Sequence, residues 1–148
     1  MENKYMKLAL KEAIKAKKQD EVPVGAVIVK NNVIISKAHN QKEKKKNPIK
    51  HAEIIAIERA CKKLKTWHLD ECILYVTLEP CLMCAGAIIQ SRIKKVIYAT
   101  SSDKFGYSKN INQFLNSSEK NNMLEMEQGS YETESRDLLK SFFEQKRK

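Results

Sequence analysis

No apolar stretch in this chain approaches the length of a membrane span. The start does not read as a secretory signal either. Lys4, Lys7, Lys11 and Glu12 interrupt every apolar run between Met1 and Lys18 before it reaches h-region length. No internal repeat, linker or low-complexity tract divides the 148 residues, so one domain over 1–148 is expected, large enough for a hydrophobic core. Cysteine is sparse: four residues, two of them in one Cys-x-x-Cys. Without an export signal this argues against a disulfide framework and for a cytoplasmic protein. Arginine is scarcer relative to its partner, 4 against 24 lysines. The net charge of +10 suggests a polyanionic partner. A lysine- and asparagine-rich bias can also follow from the base composition of a genome, so charge alone is weak support.

Hydrophobic periodicity sets out the elements. Met6, Ala9, Leu10 and Ala13 recur at helical spacing from Glu2 to about Lys18. Val24 to Val29 reads as a buried strand, and Asn31-Asn32 turns it into a second strand over Val33–Ile35. A lysine-bearing loop, Asn40 to Lys50, precedes a helix over Ala52–Lys65. Ile73–Leu78 is a strand, Cys81 to about Ser91 a helix, and Lys95–Ala99 a strand. A loop over Ser101–Lys109, a short helix near Ile111–Leu115, a weaker strand near Met123–Glu127 and a helix from Tyr131 complete the chain. Strands alternating with helices indicate an α/β layered domain with a mixed sheet, antiparallel at the opening hairpin and parallel after it.

Two short motifs carry the chemistry: His51-Ala52-Glu53 and Pro80-Cys81-Leu82-Met83-Cys84. Cys81 and Cys84 share a face in a first helical turn, and a helix N-terminus favours thiolates. With His51 they offer three metal ligands and no obvious fourth, the pattern of a catalytic zinc site rather than a structural one. A structural site would need Cys61, Cys72, His68 or His39. Cys61 lies roughly 15 Å up its helix at 1.5 Å per residue, and Cys72 roughly 20 Å away along its strand. His68 is on the same far side, which leaves His39 as the one residue able to approach. Glu53 alone would be an ordinary helix-start acid complementing the dipole. Two residues after His51 it points away as a co-ligand, and it is better placed to move protons for a water at the metal.

A thioredoxin-like redox site also has Cys-x-x-Cys at a helix start. That fold places a proline downstream of the dithiol; here Pro23, Pro48 and Pro80 all precede it, and His-Ala-Glu would go unexplained. Cys61 and Cys72 read as ordinary buried or half-buried thiols. A zinc-stabilised RNA-binding module without catalysis is a further alternative, but it has no need of Glu53.

The pattern H-x-E…P-C-x-x-C matches the signature of zinc-dependent nucleobase deaminases. Around it, Glu21 to Val27, Asn40, His51-Ala52-Glu53 and the run Leu74 to Ala87 resemble the bacterial tRNA-specific adenosine deaminase family of the cytidine deaminase superfamily, nearly end to end. Guanine and free-nucleotide deaminases share parts of this wording, so a deaminase of free bases or nucleotides is the alternative. The resemblance implies a three-layer α/β/α fold with a five-stranded mixed sheet, a homodimer, one zinc ion per subunit, and conversion of the wobble adenosine in a tRNA anticodon to inosine. It also implies that His51, Cys81 and Cys84 hold the zinc and that Glu53 is catalytic. Asn40, Val24 and Ala52 match base-pocket positions, Glu79 a supporting position, and Lys104 with Gly106 the loop that approaches RNA. One departure stands out: Ser102, followed by Asp103, replaces the usual aspartate of that loop. Either Asp103 substitutes through a one-residue shift, or that RNA contact is weaker. The basic loop before His51 and the tail Lys146-Arg147-Lys148 are candidates for phosphate contacts, as Phe142 and Phe143 are for base stacking.

Overall fold

The structure, a computed structural model, describes residues 2–102, 106 and 124–147. Its strands are β1 (Gly25–Lys30), β2 (Val33–His39), β3 (Cys72–Leu78), β4 (Lys95–Thr100) and β5 (Glu125–Gln128). They form one five-stranded sheet in the order β2-β1-β3-β4-β5. Strand β1 runs antiparallel to both β2 and β3, whereas β3, β4 and β5 are parallel. The hairpin closes through Asn31 and Asn32, both at positive φ (51° and 62°), the conformation that a tight two-residue turn demands and asparagine tolerates.

The helices are α1 (Glu2–Lys18), α2 (Lys42–Lys45), α3 (Ala52–Leu64), α4 (Leu82–Gln90) and α5 (Glu132–Arg147). Alternating residues explain why the inner strands read as almost continuous apolar runs: both faces of the sheet are covered. Ala26, Ile28, Leu74, Val76 and Val96 pack with Ile55 and Ala56 of α3 and Ala85 and Ile88 of α4. Val27, Val29, Tyr75, Ile97 and Ala99 pack with Tyr5, Met6 and Ala9 of α1. Helix α5 lies alongside α1, where Lys17 Nζ donates to Ser141 Oγ at 2.5 Å.

The expected α/β class and mixed sheet are therefore present. Strand β2 runs four residues beyond the expected end, to His39, because Ser36 and Ala38 face α3; Ser36 Oγ donates to Ala56 O at 2.8 Å. Helix α2 occupies part of the expected loop. At four residues it is too short for periodicity to reveal, and the Glu21 carboxylate holds it by accepting the Glu43 and Lys44 backbone N–H groups (3.1 and 2.8 Å). The expected helix near Ile111–Leu115 lies outside the described residues, and β5 begins at Glu125.

Candidate active site

Strand direction builds the site. Because β1 is antiparallel to β2 and β3, the carboxyl ends of β2, β3 and β4 all reach one edge of the sheet. Open α/β sheets bind ligands at that edge. His39 of β2 leads to Asn40, Leu78 of β3 to Glu79 and Cys81, and Thr100 of β4 to Ser102. Helices α3 and α4 start at the same edge, with His51 and Cys81 as their N-cap residues in extended backbone conformation.

His51 Nδ1 lies 3.3 Å from Cys84 Sγ and 3.9 Å from Cys81 Sγ, and the three donor atoms fall within 4.8 Å of one another. Tetrahedral zinc with bonds of about 2.0–2.3 Å requires donor separations of roughly 3.3–3.8 Å. One imidazole nitrogen and two sulfurs at these spacings fit that ion. No further His, Cys, Asp or Glu joins the group among the described residues. His39, the one candidate left open by sequence, turns away to the α1 face, where Nδ1 donates to Glu12 Oε1 at 3.0 Å. Cys61 and Cys72 stand apart as free thiols, and burial pushes both up in pKa.

The two site thiols divide one role. Cys81 is lowered to about 4 by hydrogen bonds from the Cys84 thiol and from His51, against the opposing effect of burial. Cys84, buried, is pushed the other way by its bond to Cys81 and by desolvation. The opposed shifts come from the short contact between the two thiols, and both would give up their protons to bind a cation. The Cys81 bond also raises His51.

Glu53 points inward from the first turn of α3 and is only 4% exposed. Burial raises its carboxyl from 4.5 to about 7, outweighing a backbone hydrogen bond and the charge of His51. A carboxyl that titrates near neutrality can both take and return a proton.

The cleft over these groups measures about 380 Å³ and is lined by Val22, Val24, Asn40, Lys42, His51, Glu53, Leu78, Glu79, Cys81 and Ser102. A volume of this order suits a single base or nucleoside. Asn40 Oδ1 accepts the Ala52 N–H at 2.7 Å, so Asn40 caps α3 and keeps its amide nitrogen as a donor for the cleft. Ala52 is fully buried and gives its backbone N–H to that bond. Glu79 Oε1 accepts the Ser102 N–H at 3.0 Å, and Gly106 bridges to Cys81 and donates its N–H to Ser102 O at 2.9 Å. A Cβ on Gly106 would overlap the Ser102 carbonyl oxygen as well as Glu79 Oε1, so a side chain here would force the backbone apart. Lys104 and Asp103 lie outside the described residues.

Sequence reasoning missed Val22, Leu78 and the clasp that Glu21 makes on α2. A strand end carries no signal of what lies across the cleft from it, so only assembly of the sheet edge finds them. Of the lysines before His51, Lys42 lines the cleft, whereas Lys50 pairs with Glu58 at 2.7 Å. Lys146 pairs with Asp20 at 2.6 Å. Phe142 is buried and Phe143 is 44% exposed, its ring edge-on to its neighbour.

Comparison with known proteins agrees with this geometry. Residues 1–147 match the MafB19-like deaminase family. A tRNA-specific adenosine deaminase of Bacillus subtilis (strain 168) is 46% identical over 144 residues, covering 97% of this chain and 89% of the relative. A solved structure from a study of A-to-I editing by tRNA:A34 deaminases at the wobble position superposes with a TM-score of 0.85 at 36% identity, covering 93% of this chain and 99% of the other. A guanine deaminase structure from Bacillus subtilis gives 0.64 at 36% identity, over 78% and 71% of the two chains. The relatives' identity over nearly the whole chain and the matching family model place this chain in the tRNA-specific adenosine deaminase family of MafB19-like deaminases.

Proposed function

We propose that the protein hydrolyses the wobble adenosine of a tRNA anticodon to inosine, as one cytoplasmic deaminase domain over 1–148 with one zinc ion per subunit. The observation that carries this is a buried carboxyl, Glu53, beside a three-donor metal group in a base-sized cleft. His51 Nδ1 and the sulfurs of Cys81 and Cys84 would hold the zinc. Bound there, it supplies Lewis acidity that lowers the pKa of the attacking water. Glu53 takes a proton from that water as the oxygen adds to C6 of the base, and returns it to ring nitrogen N1. A second transfer through Glu53 carries the hydroxyl proton to the exocyclic amine. The C6–N bond then breaks, ammonia leaves, and the oxygen remains as the inosine carbonyl.

Asn40 offers its amide N–H to an acceptor on the purine edge, while Val24 packs against the ring. Ala52 fixes Asn40 from behind. A flipped anticodon base reaches this cleft at low cost because it is already single-stranded. Lys42 at the cleft wall supports phosphate contact, and the resemblance extends this to Lys104. Homodimerisation is supported by exposed apolar residues: Trp67, 56% exposed, lines a groove of about 470 Å³ with Ile57, Cys61, Ala87 and Gln90, and Met83, 39% exposed, precedes Ala87 by one turn of α4.

The likeness to a guanine deaminase favours a second reading, turnover of a free purine. One experiment separates the two: rates on an anticodon stem-loop, its DNA analogue, free adenosine and free guanine across a salt series. The tRNA reading expects fast deamination of the stem-loop that weakens steeply with salt, since phosphate contacts release counterions. The DNA analogue should be poorer wherever a 2′-hydroxyl is read. Salt-independent turnover of a free base, with none on the stem-loop, would reverse the assignment.

A further inference from the structure

A buried ionisable pair lies behind the cleft and takes no part in the proton transfers. Glu12, in α1, and His39, the last residue of β2, are 5% and 8% exposed. Besides the 3.0 Å bond between them, Gln19 Oε1 lies 3.3 Å from His39 Nε2, and Lys15 Nζ reaches Glu12 Oε2 at 2.9 Å. The bonds from His39 and Lys15 hold the Glu12 carboxyl below the usual range although burial alone would raise it. Apolar residues of similar size would serve stability at least as well. What such a pair adds is a single fixed geometry.

The surroundings are shaped to allow it. Gly25 is paired with His39 across the sheet. A Cβ on Gly25 would overlap the Ala9 carbonyl and come within 2.8 Å of Glu12 Cβ, so glycine lets α1 descend far enough for Glu12 to reach the imidazole. Strand alternation then couples the two faces of the sheet. His39 turns toward α1, and the next residue, Asn40, turns the opposite way, donating its backbone N–H to Val24 O at 3.2 Å and accepting the Ala52 N–H through Oδ1.

We propose that His39, gripped by Glu12, is a positioning residue that fixes the backbone from which Asn40 reaches both the substrate base and the start of α3. This rests on the reading of Asn40 as a base contact. The pair acts from the far side of the sheet and touches neither substrate nor metal.

The test uses the zinc-loaded full chain and two variants. His39→Phe keeps the ring and removes the bond, and His39→Asn retains a donor near the Nδ1 position. Hydrogen exchange at the Ala52 amide reports the Asn40 bond without any substrate. Rates on the stem-loop, alone and combined with Asn40→Ala, report its use. In His39→Phe, Ala52 exchange should rise and kcat/KM fall, each about tenfold, the size expected when a buried hydrogen bond to a charged group is lost. His39→Asn should recover most of both. In the Asn40→Ala background His39→Phe should cost no more than about twofold, because coupled residues are not additive. If His39→Phe does not fold, Glu12→Gln serves instead, with the same pattern at about threefold. Unchanged Ala52 exchange, or fully additive rate losses, overturns the proposal. Loss of Ala52 protection in a protein whose parent does not deaminate the stem-loop would instead uphold the mechanical link and remove the functional reading.

Discussion

Replacing Glu53 by glutamine should make the metal-free protein more stable while abolishing its chemistry. The carboxyl is buried and its pKa rises from 4.5 to about 7. A group whose folded pKa exceeds its unfolded value favours the folded state fully below the unfolded pKa and loses that contribution as pH climbs. In parent protein stripped of zinc, the contribution of Glu53 itself should therefore be lost between about pH 4.5 and 7, about 3 kcal/mol for this shift, and comparison with the glutamine variant isolates it from the opposing titration of Cys81. Glutamine keeps the shape and carries no charge, so the gain of Glu53→Gln should be near zero at pH 4 and about 3 kcal/mol at pH 8. Urea unfolding with a chelator present, at both pH values, measures it. Zinc should narrow the difference, since a cation beside Glu53 favours its ionised form. The same variant should retain zinc and lose at least about 10²–10⁴-fold in deamination. Equal stability of the two chains at pH 8 would refute the buried-carboxyl argument, and near-normal turnover would reduce Glu53 to a helix-start acid.

Other outcomes follow from the same geometry. Cys84→Ser should lose most bound zinc by elemental analysis; full occupancy would show that the sulfur is not a ligand. Gly25→Ala should cost about 1–3 kcal/mol or more in urea unfolding, because the new methyl meets the α1 backbone rather than a movable side chain. A neutral result would mean that α1 can lift off the sheet without penalty. In the proposed dimer, Met83→Lys should shift the protein to monomer in light scattering with zinc retained, and a persistent dimer would remove the α3–α4 face as the interface.

The sequence by itself determined most of the elements and which residues meet at the cleft. Strand β1 and strand β3 read directly from apolar runs, and α1 from its spacing, because these patterns arise from local periodicity. That His51, Glu53, Cys81 and Cys84 gather at one place was legible because each motif is compact: both helix starts are marked by their own residues, and the three donors fit a metal site with one position left open. Tertiary structure alone decided what depends on residues far apart in the chain. His39 is the clearest case. Sequence left it as a possible fourth ligand, and the pleat turned it to the other face, onto Glu12 of α1. Helix α2 escaped notice because it owes its existence to a carboxylate some twenty residues earlier rather than to its own four residues. The raised pKa of Glu53 was equally out of reach. A helix-start glutamate is ordinarily solvated, and only the closing of the cleft walls around it removes the water that would keep it acidic.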